Sequence, residues 1–437
     1  MKKYYLVILI LLGIHLFLLI NLKFTVWPEM LSYPYLRNNG YLLYKDMIHP
    51  YPPVLAMALS IVYKLFGYKL IALKVFTWLI ILANDILIFL ISKKLTKSFK
   101  FSVLSLAFYV TIQPFLEGNQ LWFDLAIVPT VLFSTYYLLQ KKYFWSGLFL
   151  GAAILTKQTA GLYLIFGMAY IACKEKNFKK VLEFVIGPII LFAILIVRLI
   201  TEGAILGFFN WTLIYPLTLF SKFQGYVQMA LSGHQWLILV LLVIPVIPVL
   251  FIRKFSLITF YLLLSFIMIY PRFSFFHFQP GLAFIAIFYG VFLSRVRFFY
   301  MLHATYYILL FILICLPVLK TDWQKEARFW GNEEIKTAGI ISQKTNPKDL
   351  IYLLGPQSGL YVFSGRLPPK PWTDNYVWYL EIPGIQEGII KMWKENKPEI
   401  VFTNNIQAGN WYDLGTYRPQ KIVDWIRNEK IETSILK

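Results

Sequence analysis

Charge is scarce in this chain. Of its 437 residues, 15% are Asp, Glu, Lys or Arg, whereas 58% are hydrophobic, and the mean hydropathy is +0.62. That balance excludes an ordinary soluble domain, in which roughly a quarter of the residues are charged. Cysteine is rarer still. Cys173 and Cys315 stand far apart in apolar segments, which excludes a disulfide framework and leaves the redox compartment open. Carboxylates number 22 against 42 basic residues, for a net charge of +20. In a soluble protein such an excess points to nucleic acid. Here Lys and Arg cluster in short loops between apolar runs, the pattern that orients membrane proteins, and nucleic acid is excluded as a partner. Internal repeats and low-complexity stretches are absent, and the C-terminal segment has no glycine-rich phosphate loop. A sharp metal-ligand spacing is lacking too. Asp46 and His49 are three apart with Glu29 nearby, carboxylates that would suit Mg or Mn; the expectation is no cofactor, with a divalent metal left open.

What the chain has in abundance is apolar runs. Residues 4–22 carry no Asp, Glu, Lys or Arg and are long enough to cross a hydrocarbon core of about 30 Å as a helix. No small-residue cleavage site follows, so the run reads as an uncleaved first helix. Residues 54–66 are equally apolar but too short to span, and read as a re-entrant or interfacial helix on the outer face. With Lys2 and Lys3 placed in the cytoplasm, further runs at 69–92, 101–116, 125–140, two halves within 143–173, 181–200, 235–252, 256–270, 280–294 and 298–319 alternate in direction. The charge distribution supports this tracing. The patches at 2–3, 93–100, 141–142, 174–180, 253–254 and 295–297 hold 16 of the 42 basic residues and a single carboxylate, Glu175. Counting 54–66 as a span would swap the later clusters to the wrong side. The expectation is an α-helical polytopic membrane protein with about 11 transmembrane helices, its N-terminus cytoplasmic. The membrane domain is 1–319, with its first outer loop at 21–53. Residues 320–437 hold 16 basic and 14 acidic residues, as a water-facing surface does. Helices at 333–344 and 385–394 alternate with β-rich runs at 349–354 and 399–403, predicting a small extracytoplasmic α/β domain.

This topology gathers the polar insertions on the outer face: Glu29, Asp46, His49, Glu117, Asn119, Asp124, Lys157, Asn210, Trp211, Arg272, His277 and Gln279. Ionisable residues beside membrane segments are costly unless they serve a pathway, a partner or a substrate. Glu29, with Asp46 as second carboxylate, is placed to act as general base on a hydroxyl. Lys157 lies between two apolar half-helices, away from every cytoplasmic cluster. With Arg272 it could hold a phosphate, the guanidinium as a fork of donors and the ammonium as a point charge, and His277 would either extend that anion site or sit in the core. His49, Asp124, Tyr44 and Gln279 are candidates for contacting substrate. Most of the 38 Phe, 29 Tyr and 13 Trp residues read as core and interface belt, although sugar rings stack on such faces.

Several short motifs match a known family. Trp27-Pro28-Glu29 follows the first helix; then come Gly40-Tyr41-Leu42-Leu43-Tyr44-Lys45-Asp46, Tyr51-Pro52-Pro53 and Leu65-Phe66-Gly67. The Leu155-Thr156-Lys157-Gln158 hairpin and the Pro271-Arg272…His277…Pro280 approach to a late helix fit the same pattern. Over about residues 1–320 the chain resembles the GT-C membrane glycosyltransferases, nearest to the family 39 or RgtA-like set that includes relatives of protein O-mannosyltransferases and of the aminoarabinose transferase. Pro28-Glu29 stands where that family has Asp-Glu. The resemblance implies a helical bundle with juxtamembrane helices on its first loop, in a bacterial or archaeal-type plasma membrane. It implies inverting transfer of a sugar from a polyprenyl-phosphate donor to a hydroxyl acceptor (lipid, glycan or protein) on the outer face, with membrane lipid as the other partner. Two other readings remain open at this stage: a transporter or flippase of a lipid-linked sugar, and a non-catalytic membrane assembly subunit.

Overall fold

The computed structural model describes residues 2–223, 225–250, 252, 256–295, 300–374, 376–403 and 419–436. The expected basic positions Arg253, Lys254 and Arg297 lie outside the described residues. By contacts the chain divides into two compact units. One comprises 1–25, 73–194 and 228–326; the other comprises 26–72, 195–227 and 327–437. This division departs from a single boundary at 320, because the first outer loop belongs to the same unit as the C-terminal segment.

The first unit is a helical bundle. Its central element is the helix Gln279–Leu293, of which every residue is buried, as expected of a helix that is apolar on all sides. Helices Phe99–Ile112, Phe123–Leu139 and Ser256–Ile267 pack against it. The contact with Phe99–Ile112 is close because Gly290 has no side chain: a Cβ there would lie 2.0 Å from Ser105 Oγ. A second crossing is closer still. In the helix Tyr143–Ile154, Gly147 and Gly151 form a G-x-x-x-G face, and a Cβ on Gly147 would fall 1.7 Å from the Phe184 carbonyl oxygen of the helix Phe178–Glu202. Small residues at this spacing let helices associate backbone to backbone in lipid, where no hydrophobic drive separates helix from solvent. The two apolar halves within 143–173 appear as Tyr143–Ile154 and Gly161–Glu175, separated by a break that carries Lys157. Among the described residues three helices are long and apolar enough to cross a membrane: Leu70–Thr96, Phe178–Glu202 and Thr305–Asp322. Several other apolar helices are shorter, Gly233–Val243 and Ser256–Ile267 among them.

In the second unit the expected first outer loop contains a helix, Glu29–Asn38. Proline precedes it, favourable at a helix start, and the Glu29 carboxylate occupies the first turn, where the helix dipole favours negative charge. It packs on Val54–Phe66, a 13-residue helix that buries Leu55, Ala56, Leu59 and Tyr63 and leaves Ile61, Leu65 and Phe66 exposed. At about 1.5 Å per residue that helix cannot span. The expected aromatic loop at 201–234 contains the short helices Ile205–Phe209 and Tyr215–Thr218 joined by a π-helical turn, Asn210–Ile214. In the C-terminal segment three parallel strands run in the order β1 (Ile351–Leu354), β2 (Ile400–Thr403) and β3 (Glu432–Ile435), with Ile351 opposite Ile400 and Ile400 opposite Glu432. Parallel neighbours require crossover helices, here Ile385–Trp393 before β2 and Gln420–Asn428 before β3. The latter buries Ile422, Val423, Trp425 and Ile426 against Trp393 and Val401. The first loop is stitched to this segment through a bridge between Met47 and Trp372, with Ile48 N–H donating to the Trp372 carbonyl.

Candidate functional site

Each unit holds one cluster of the expected residues. In the bundle, Asp124 opens the helix Phe123–Leu139 and is fully buried. Lys157 precedes the 3-10 turn Gln158–Ala160, where extended backbone (φ −145°, ψ 119°) interrupts two helices. Its ammonium donates to Asp124 Oδ1 at 2.6 Å, and His277 Nδ1 lies 2.7 Å from Asp124 Oδ2. Lys157 is therefore neutralised from within, and Asp124, expected to contact substrate, is instead the anchor of two candidate phosphate ligands. Arg272 sits on a short bridge to Gln228, and its charge reaches His277. Burial pushes the His277 imidazole below its ordinary range; Asp124 opposes that shift, while Lys157 and Arg272 add to it. With a neutral imidazole the group carries Lys157, Arg272 and Asp124, a net charge of +1.

Gln279 does a different job from the one expected. Its amide donates to the Leu116 and Phe275 carbonyls at 2.8 and 3.2 Å and accepts from Gln113 Nε2 at 3.1 Å. Glu117 Oε2 accepts from Phe276 N–H at 3.1 Å. These bonds tie the 113–118 turn to the loop that carries His277. Gln113 Oε1 lies 3.1 Å from His15 Nε2, and His15 Nδ1 lies 2.8 Å from Asp85 Oδ2, all fully buried. Asn119 is likewise structural: it donates to the Leu19 and Leu22 carbonyls and accepts from Trp78 Nε1. None of His15, Asp85 or Gln113 is marked by a motif; each is a polar residue in an apolar run, Asp85 beside Asn84, and the cost of such residues among apolar segments is the signal that could have found them.

In the second unit Glu29 is buried and accepts a hydrogen bond from the Tyr376 hydroxyl. The carboxylate that shares its surroundings is Asp374, rather than Asp46. Asp374 accepts from Ser358 Oγ at 3.0 Å, which also bonds Ser32 Oγ at 3.2 Å. Tyr33, Tyr376 and Tyr379 are all raised well above the ordinary phenol range, by burial first; the charges of Glu29 and Asp374 come next for Tyr33 and Tyr376, and for Tyr379 they follow Tyr33 and Tyr51. They therefore stay protonated near two carboxylates, and Tyr376 donates to one of them. Asp46 is half-buried and bonds the Leu42 N–H and Lys370 Nζ, each at 3.0 Å. Tyr44 is buried, with φ +67°, and its hydroxyl donates to the Tyr51 carbonyl at 2.7 Å. Trp211 packs on Tyr379 at 5.8 Å and on Tyr215 at 4.9 Å. Asp374 and Tyr376 went unnoticed because they lie almost 350 residues downstream of Glu29, with no periodicity or spacing to connect them. Among the described residues no group of three or more His, Cys, Asp or Glu could hold a metal ion.

His49 is fully buried between Tyr33 and Tyr44, with ring centroids 4.5 and 5.8 Å away. Burial pushes its imidazole down to about 3 from 6.5, against the hydrogen bond to the Pro52 backbone. The unfolded chain binds this proton below pH 6.5 and the folded chain does not until near pH 3. Stability should therefore fall as pH drops through that window, by at most about 1.4 kcal/mol per pH unit from this residue. Thermal unfolding at stepped pH should show His49→Gln with a flatter acid dependence than the parent chain; an unchanged slope would assign the loss to other groups.

Residues 49–200 match the family described as dolichyl-phosphate-mannose-protein mannosyltransferase. Comparison with curated proteins returns no match. Among solved structures, ArnT from Cupriavidus metallidurans bound to undecaprenyl phosphate aligns with a TM-score of 0.57 at 13% identity, covering 84% of this chain and 85% of that one. Its apo form aligns with a TM-score of 0.56 at 12% identity, over the same shares of the two chains. The Archaeoglobus fulgidus oligosaccharyltransferase in complex with zinc and sulfate aligns with a TM-score of 0.52 at 11% identity, over 83% of this chain and 62% of that one. These likenesses establish the fold. The resemblance read from the sequence is thus borne out: in fold, and over residues 49–200 in family match, the chain is similar to the GT-C membrane glycosyltransferases of the family 39 kind.

Proposed function

We propose that the protein is an integral-membrane glycosyltransferase that moves a sugar from a polyprenyl-phosphate donor to a hydroxyl acceptor, with inversion. The observation that carries this reading is the mannosyltransferase match over residues 49–200 in a chain of GT-C fold. The ArnT structure with undecaprenyl phosphate supports the choice of donor class. In this reading about 11 segments span the membrane, the N-terminus is cytoplasmic and residues 320–437 are extracytoplasmic. Glu29 takes the proton of the acceptor hydroxyl, whose oxygen attacks the anomeric carbon from the face opposite the phosphate. The bond from that carbon to the phosphate oxygen breaks, and the lipid phosphate leaves with the electron pair. Lys157 and Arg272 offset its charge, an electrostatic effect that grows where water is excluded. Asp374, Tyr376 and Ser358 hold Glu29 and its surroundings in place, and Asp46 is the alternative base.

The test is sugar release in proteoliposomes from a panel of polyprenyl-phosphate sugars, with crude membrane lipid and glycan as acceptors. Consumption of one donor with stoichiometric formation of a glycosylated product is the expected result. A donor that crosses the bilayer intact, without product, would replace the transferase with a flippase.

A further inference from the structure

The second unit contains a cavity of about 200 Å³ that neither catalytic cluster uses. Three cations line it, each from a different helix: Arg37 and Lys64 from the last turns of Glu29–Asn38 and Val54–Phe66, and Arg198 four residues before the end of Phe178–Glu202. One carboxylate, Glu202, faces them and accepts from Arg198 Nε at 2.8 Å. Lys45 is not part of the lining but reaches the backbone beside it, its Nζ 3.4 Å from the Glu202 carbonyl. The lining side chains therefore carry a net charge of +2. Arg37 is half-buried and lies within electrostatic reach of Arg198, so that two guanidiniums repel each other across a partly desolvated space; burial and that repulsion both depress the Arg37 guanidinium, and Glu202 opposes them only in part. An anion placed between them relieves both costs, and guanidinium forks match phosphate oxygens.

The surroundings narrow the ligand further. On the helix that carries Lys64, Ile61, Leu65 and Phe66 are exposed, and on the helix that carries Arg198, Val197 and Ile200 are exposed. Apolar side chains exposed beside a cationic hollow suit a molecule with an anionic head and an apolar body. Basic side chains at helix ends often only snorkel toward headgroups; what sets these apart is that Arg37, Lys64 and Arg198, from three helices, line one hollow. We propose that this cavity binds the phosphate of an anionic amphiphile at the membrane boundary, a site separate from Lys157 and Arg272, which belong to the other unit. The assignment stands on the cavity alone and does not depend on the transferase reading.

The test uses the full-length chain in neutral detergent, titrated with short-chain phosphatidylglycerol, short-chain phosphatidylcholine and inorganic phosphate. Saturable binding of phosphatidylglycerol at least tenfold tighter than phosphatidylcholine is expected. Arg37→Gln and Arg198→Gln should each weaken it tenfold or more, and the exposed Lys64→Gln, which leaves the fold intact, several-fold. Inorganic phosphate binding as tightly as the lipid would support the phosphate site and make its source a free phosphate group. Equal affinity for the two lipids would overturn the proposal. So would variants that melt like the parent chain and bind unchanged, or an equal loss in Lys69→Gln, an exposed lysine outside the cavity, which would reveal diffuse attraction only.

Discussion

Glu29→Gln should lower sugar transfer by about 10²- to 10⁴-fold, the range that a positioned general base contributes, while leaving the unfolding temperature nearly unchanged. The amide keeps an oxygen where the Tyr376 hydroxyl donates, so the buried hydrogen bond survives and only the basicity is lost. Donor affinity should be little affected, because the missing function acts on the acceptor proton. Two companions make the result specific. Asp46→Asn should retain most turnover, since Asp46 is half-buried and engaged with Lys370 and Leu42. Tyr376→Phe should lower turnover less than Glu29→Gln and should destabilise, because it removes the donor to a buried carboxylate. Full turnover in Glu29→Gln with loss in Asp46→Asn would move the base to Asp46. The measurement is initial rate with a single active donor, paired with thermal unfolding of each variant.

Lys157→Met should destabilise the bundle by about 3–5 kcal/mol, the cost of removing one partner from a buried ion pair, read as a large fall in unfolding temperature. Asp124 is fully buried and would keep only His277. Lys157 is one of the charges that hold the His277 imidazole low, so its removal lets that imidazole take a proton more readily. A histidine raised in this way stabilises at low pH and loses its effect as pH rises through its folded pKa. The deficit of Lys157→Met should therefore be smallest in mild acid and grow toward alkaline pH. Lys157→Met with Asp124→Asn removes both charges and should recover much of the stability. If the ammonium also offsets the departing phosphate, the double variant stays slow although folded. A double variant that is both stable and fully active would confine Lys157 to holding the break between its two half-helices.

Much of this molecule is legible from residue order because lipid imposes a one-dimensional rule: a segment that crosses the bilayer must be apolar and helical over a fixed length. The first helix, the paired halves around Lys157 and the buried run at 280–294 are visible as apolar runs, and by the same length rule the helix at 54–66 is too short to cross. The α/β character of 320–437 was visible as alternating β-rich and amphipathic stretches, although β3, with Glu432 and Thr433 exposed on an edge, carries too weak a pattern to be seen. The helix Glu29–Asn38 was missed because its sequence, with a proline inside and a mixed polar face, has no long apolar run; its burial comes from partners distant in sequence.

Residue order alone determined the membrane class and the identity of the ionisable residues that lipid would otherwise forbid, and the placement of Lys and Arg set the expected direction of the runs. Tertiary structure alone decided how those residues are partnered. It bound Lys157 and His277 to Asp124, turned Gln279 from a substrate candidate into a brace between two loops, and gave Glu29 the company of Tyr376 and Asp374 instead of Asp46. The physical reason is that hydropathy and charge placement act locally along the chain. The pairing of buried polar groups depends on directional bonds of about 3 Å, and those form only where folding has brought distant segments together.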